Sequence, residues 1–258
     1  MNIIDILVLL VLAFSLFAGM YKGFIASFLS LGGLVGSVFG ALRLYPFLAN
    51  LALGNQTLMG VLSTYLEPAS FFEKISETVS GVSAQTAVSE LVSRGAEAVN
   101  GVADFIGAKI PFIRDAFAQN LSSEAFAGLN LTTVADYFDQ TLWQSIFNVL
   151  AFVAAFALLY FVITLVINLL NHVIRFPLIR KVDWLLGGLF GVARGIVIAT
   201  LIIAVAEPAL SAFSIDLMNT LKDGSKTYAM FAGKNSFDFL QIQDKINQIV
   251  LTASSTLR

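Results

Sequence analysis

The chain contains no cysteine and a single histidine, His172. The first absence removes disulfide scaffolds, thiolate metal centres and cysteine nucleophiles. The second removes the His-rich sets that zinc enzymes use, and it leaves a Ser-His-Asp arrangement with one candidate base. Charge is scarce as well: Asp, Glu, Lys and Arg make up 12% of the 258 residues, against roughly 25% in an average soluble domain. The 15 basic residues are offset by 17 acidic ones, so there is no basic field with which to bind nucleic acid. No G-x-x-x-x-G-K-[ST] occurs to cradle ATP phosphates. An ordinary cytosolic enzyme is excluded by too little charged surface, and a disordered chain by too much apolar content.

What is present is apolar residue in long runs. Hydrophobic residues reach 57% and the mean hydropathy is +0.83. Four stretches, residues 3–20, 24–42, 146–170 and 184–206, are about the 20 residues that a helix needs to cross a hydrocarbon core. Without period-2 alternation they read as helices and not as barrel strands. The expected fold is an all-α membrane protein with four transmembrane helices in two hairpins. The first apolar run lacks a basic n-region and is too long for a signal peptide, so it is expected to stay as an anchor.

The four runs divide the chain into a first hairpin (residues 1–48), a helical insert (49–145), a second hairpin (146–206) and a tail (207–258). The first hairpin turn carries Lys22; the second carries Arg175, Arg180 and Lys181 against Asp183. Residues 45–145 hold ten acids and four bases. Both turns therefore read as cytoplasmic, with both termini and the insert on the other side. Arg43 falls at the outer end of the second helix, where a long side chain reaches the interface. Within the insert, Val88, Leu91, Val92, Val99, Val102 and Ile106 recur at helical spacing, and Thr132 or Thr133 is placed to cap a helix leading into the third span. In the tail, Phe239, Ile242, Ile246, Ile249 and Val250 mark one amphipathic helix.

Glycine spacing is the sharpest pattern inside the spans. Gly32, Gly36 and Gly40 recur every four residues on the second helix, and Gly187, Gly191 and Gly195 do so on the fourth. Residues four apart share a helix face, so each row offers a flat groove for close backbone approach. Packing of helix two on helix four and an oligomer seam are both open, and a Leu at Gly36 or Gly191 is expected to disrupt either. Arg194 lies eleven residues beyond Asp183, roughly 16 Å along a helix and so about half-way across the core. A buried charge there requires a partner. Thr164 and Asn168, on a polar stripe with Asn171 and Arg175, are the expected ones.

Asp5 with Gly19-x-x-Lys22-Gly23-Phe24, and Asp183-x-x-Leu186-Gly187-x-x-x-Gly191-x-x-Arg194-Gly195, together resemble the colicin V production protein (CvpA) family of bacterial inner-membrane proteins. The resemblance rests on residues 1–48 and 146–206, and makes the insert and the tail departures from compact relatives. It implies a part in bacteriocin production or export and in envelope homeostasis. The expected role is a non-enzymatic assembly or accessory factor in the inner membrane, with no cofactor and no metal. Its expected partners are the lipid bilayer, a second copy of the chain, or envelope and secretion proteins. The alternative is a channel or transporter for a small solute or ion. The charge asymmetry gives a first prediction. A cysteine introduced as Ser83→Cys should react with an impermeant thiol reagent in whole cells; protection from it would invert the topology.

Overall fold

A computed structural model describes residues 2–55, 57, 60–61, 71–171, 180–213, 215–232 and 242–251. Its helices are α1 (Ile3–Lys22), α2 (Phe24–Leu53), α3 (Ile75–Thr78), α4 (Val88–Ser93), α5 (Ala96–Gly107), α6 (Arg114–Ser122), α7 (Val134–Asn171), α8 (Arg180–Phe213), α9 (Ile215–Lys222), α10 (Lys226–Ala232) and α11 (Ile242–Leu251). No strand occurs among the described residues, and α1, α2, α7 and α8 are long and apolar enough to cross a membrane. The chain is an all-α membrane protein.

Three of the spans outrun their sequence boundaries. α2 passes through Pro46 to Leu53, α7 begins at Val134, and α8 passes through Pro208 to Phe213. Proline removes one intrahelical bond without dictating a stop, and Ala49 and Leu53 beyond Pro46 are buried. α7 starts where the capping residues predict. Thr133 Oγ1 accepts from Asp136 N at 3.1 Å, and the Asp136 carboxylate accepts from Thr133 N at 3.0 Å, which satisfies two orphan amides reciprocally.

The chain divides into two compact units. The first comprises Met1–Tyr45, Phe152–Glu207 and Asp216–Lys245; the second comprises Pro46–Ala151, Pro208–Ile215 and Ile246–Arg258. The stretch after the fourth span contributes to both units. In the first unit, Val8 of α1 is buried with Ala199 and Ile203 of α8 and Phe231 of α10. The two ends of α1 differ in chemistry. At the start, Asn2 donates its amide to the Leu221 and Asp223 carbonyls at 2.6 and 2.8 Å. One turn on, Asp5 accepts from Ser225 Oγ (2.9 Å), Thr227 Oγ1 (2.6 Å) and Thr227 N (3.1 Å). Ser225 in turn accepts from Tyr228 N at 3.1 Å and so starts α10. Burial, and then Glu207 close by, push the Tyr228 phenol above its usual range.

The second unit has a core of its own. Leu91 of α4, Val99, Val102 and Ile106 of α5, Phe117 and Leu121 of α6, and Tyr137 and Phe138 of α7 are buried together with Phe72 and Phe126. The helical periodicity read from the sequence is interrupted at Gly95, so it makes two helices, α4 and α5. Beside this core runs a polar stripe that the sequence reading missed. Thr141, Gln144, Ser145 and Asn148 are buried along one face of α7. Asn120 donates to Thr141 Oγ1 at 3.0 Å, and Asn148 Nδ2 donates to the Ile249 carbonyl of α11 at 3.0 Å. The apolar face of α11, Ile242, Ile246 and Ile249, is about 1% exposed; Phe239 lies outside the described residues.

Asn148 and Ser145 should behave oppositely. Asn148→Ala leaves the Ile249 carbonyl without its donor and should cost about 1–3 kcal/mol, seen as faster hydrogen exchange in α11. The buried Ser145 hydroxyl has no partner among the described residues, so Ser145→Ala should leave exchange and melting unchanged.

Candidate functional site at the junction of the two hairpins

The first hairpin turns at Gly23, whose φ of +81° is open to glycine and strained for other residues. A second demand falls on the same position: a Cβ there would collide with the Asp183 carboxylate. Asp183 Oδ1 accepts from Phe24 N at 2.8 Å. The acid of the second hairpin thus caps the first turn of α2, where the amides lack intrahelical partners and the helix dipole favours a negative charge. Asp183 also lies in the first turn of its own helix, α8.

From this cap the glycines of α1 and α8 run past each other. A Cβ on Gly187 would lie 3.0 Å from Gly23 Cα, one on Gly191 3.1 Å from Gly19 Cα, and one on Gly195 2.9 Å from Ser15 Cβ. Position numbers rise on α8 as they fall on α1, so the two helices are antiparallel with their backbones touching. The fourth-helix glycine row therefore packs on helix one. Helix two meets helix four differently, in parallel and through side chains: Phe190 lies 5.4 Å from the Phe24 and Phe28 rings, and Arg194 reaches Ser30.

The second-helix row splits. Gly40 faces Leu159 of α7 and Gly33, its neighbour in sequence, faces Ile163 and Ile167, whereas Gly32 and Gly36 have nothing within 4 Å among the described residues. Of the two alternatives for this row, packing within the chain and a seam between copies, Gly36 takes no part in the first among those residues.

The Arg194 expectation needs a second correction. Arg194 is buried, 7% exposed, and Nη1 donates to Ser30 Oγ at 3.1 Å. This is its one hydrogen bond among the described residues, and Nε is buried without a partner. Thr164 and Asn168 instead line a groove of about 510 Å³ on α7 with Phe161, Leu165 and Leu169. The register and the helix faces account for this. Gly187 lies against Gly23, so Arg194, seven residues further on, is level with Ser30 of α2, whereas α7 meets α2 through Leu159, Ile163 and Ile167 and carries Thr164 and Asn168 on another face. Arg175 and His172 lie outside the described residues.

Of the residues predicted to form the site, Gly19, Lys22, Gly23, Asp183, Gly187 and Gly191 converge at this junction. Asp5 is at the other end of α1, holding α10. Ser27 and Ser30 were missed; Ser27 Oγ donates to the Gly19 carbonyl at 3.1 Å. Their i, i+3 spacing on an apolar helix was the available signal. Among the described residues no group of His, Cys, Asp or Glu stands close enough to hold a metal ion.

Two helical hairpins joined by helix capping and by glycine-to-glycine contact define an integral membrane protein whose motif residues serve helix association. The chain belongs to the colicin V production protein family, whose family model matches residues 4–93 and 121–234. The match reaches well into the insert and the tail, so only residues 94–120 of the insert stand apart from the family pattern. No curated protein and no solved structure matches the chain.

The two glycine rows should respond unequally. Gly191→Leu forces apart backbones already in contact and should cost about 1–3 kcal/mol or prevent folding. Gly36→Leu meets open space and should shift detergent melting by less than about 0.5 kcal/mol. Equal losses would place both glycines in the same packed interface.

Proposed function

We propose that this chain is a non-enzymatic accessory or assembly factor of the bacterial inner membrane, acting in colicin V-type toxin production or export and in envelope homeostasis. The observation that carries the reading is how the motif residues are occupied. Asp183 caps α2, Asp5 caps α1 and holds α10, and Gly19, Gly187 and Gly191 are filled by neighbouring backbone. Groups held in this way keep helices together and are not poised for proton transfer or nucleophilic attack. The Gly32–Gly36 face of α2 is the place for a second copy or an envelope partner, because a flat face lets another helix approach closely.

A photo-crosslinking residue introduced at Gly36 should capture one defined envelope protein or a second copy of the chain in intact cells. Crosslinks to lipid alone would overturn the reading.

A second reading, a channel or transporter, draws on the groove that holds Thr164 and Asn168 among apolar residues. Polar side chains on an otherwise apolar span mark solute paths in many membrane proteins. Purified protein in liposomes would then carry a solute flux that Asn168→Leu abolishes.

A further inference from the structure

The hairpin junction holds more positive charge than it neutralises. Lys22 and Arg194 sit there, and Asp183 is committed to Phe24 N and Gly23. The ion pairs among the described residues are Glu90–Arg94, Asp104–Arg114, Asp115–Arg114 and Glu207–Lys222; none involves Lys22 or Arg194. Among the described residues Arg194 has only a neutral hydroxyl, Ser30 Oγ, for five N–H donors, and its buried Nε meets no acceptor. Such a cation is expensive in a membrane span unless an anion meets it.

Three features show what would fit. A guanidinium presents a planar fork that matches the paired oxygens of a phosphate. Ser30 accepts from Arg194, which leaves its own hydroxyl proton available to a second oxygen. Lys22 is exposed one residue before Gly23, at the end of α1 whose Gly19 and Gly23 lie against Gly191 and Gly187 of the helix that carries Arg194, so an anion held by Arg194 on that side would meet a second cation. The surroundings are those of a lipid surface: Tyr21 is 92% exposed and Phe28 53% exposed. Aromatic side chains of this kind sit at the headgroup level of bilayers.

We propose that Arg194, Lys22 and Ser30 form a binding site for a phosphate group, supplied by the headgroup of an anionic phospholipid in the leaflet at the Lys22 end. The cation pair would hold the phosphodiester, while the acyl chains lie along the apolar surface of α1 and α2. Free phosphate has the same charge chemistry but no chains to bury, so affinity separates the two sources.

The test uses full-length protein stripped of lipid in a maltoside detergent, which carries no phosphate. Phosphatidylglycerol is titrated and followed by melting temperature and by native mass spectrometry. A saturable rise in melting temperature with retained lipid is expected. Lys22→Gln alters an exposed side chain that makes no hydrogen bond among the described residues, so the fold is kept, and should weaken binding about fivefold. Arg194→Gln should weaken it at least as much, and Arg194→Lys should recover part of the loss. Inorganic phosphate alone should shift melting only at far higher concentration. If it matches the lipid and shows the same dependence on both cations, the site stands and its anion is soluble. Absence of any saturable response to both ligands, or a response unchanged in Lys22→Gln and Arg194→Gln alike, would overturn the proposal.

Discussion

The constraint on which the first unit depends is the absence of side chains between α1 and α8. With Gly19 against Gly191 and Gly23 against Gly187, the backbones are in van der Waals contact. In lipid, burying an apolar side chain gains little over leaving it in the acyl chains, so association depends on close packing and on polar contacts. Close approach supplies the first and sets up the second. Only because α8 lies this near does the Asp183 carboxylate reach Phe24 N, and only then does Gly23 have to be glycine for two reasons. Ser27 then meets the Gly19 carbonyl, and Arg194 meets Ser30, on elements already fixed in register.

Polar groups in this protein are spent on helix ends more than on charge pairing. Asn2 closes α9 and Asp5 starts α10, while Asp136 and Thr133 cap α7 and Asp183 caps α2. Few ion pairs exist among the described residues, and those of the second unit are exposed, where each contributes little. Capping suits a chain that is only 12% charged, because one carboxylate at a helix start answers several orphan amides at once. The buried stripe of α7 follows the same rule. Asn148 completes α11 by bonding a backbone carbonyl near its end, which fixes one register for a helix whose apolar face alone would tolerate sliding.

Much of this was legible in the sequence, and what was not has identifiable causes. Span number and type follow from run length, since 20 apolar residues leave the backbone no alternative in lipid. The α7 cap at Thr133 was readable because capping chemistry is local. The partner of each glycine row was not readable: spacing gives a flat face but not the neighbour, and it took the structure to send Gly187 and Gly191 to α1 and leave Gly32 open. Arg194 was given the wrong partners because counting residues yields a depth and not the face a neighbour presents: α7 turns Ile163 and Ile167, and not Thr164 and Asn168, toward α2. The runs ending at 42 and 206 fall short of Pro46 and Pro208, because sequence shows the hydrogen bond a proline loses and not the tertiary contacts that outweigh it.

The gap in the family match bears on where the shared activity sits. Residues 94–120, which the family model does not match, build α5 and most of α6. They supply Val99, Val102, Ile106, Ile113 and Phe117 to the core of the second unit. The family model therefore leaves a central part of this core unmatched. The first unit has no such gap across Asp5, the α1 glycines, Asp183, the α8 glycines and Arg194. The junction of the hairpins lies wholly within the match, because its caps, its glycine contacts and its unneutralised cations all come from matched residues.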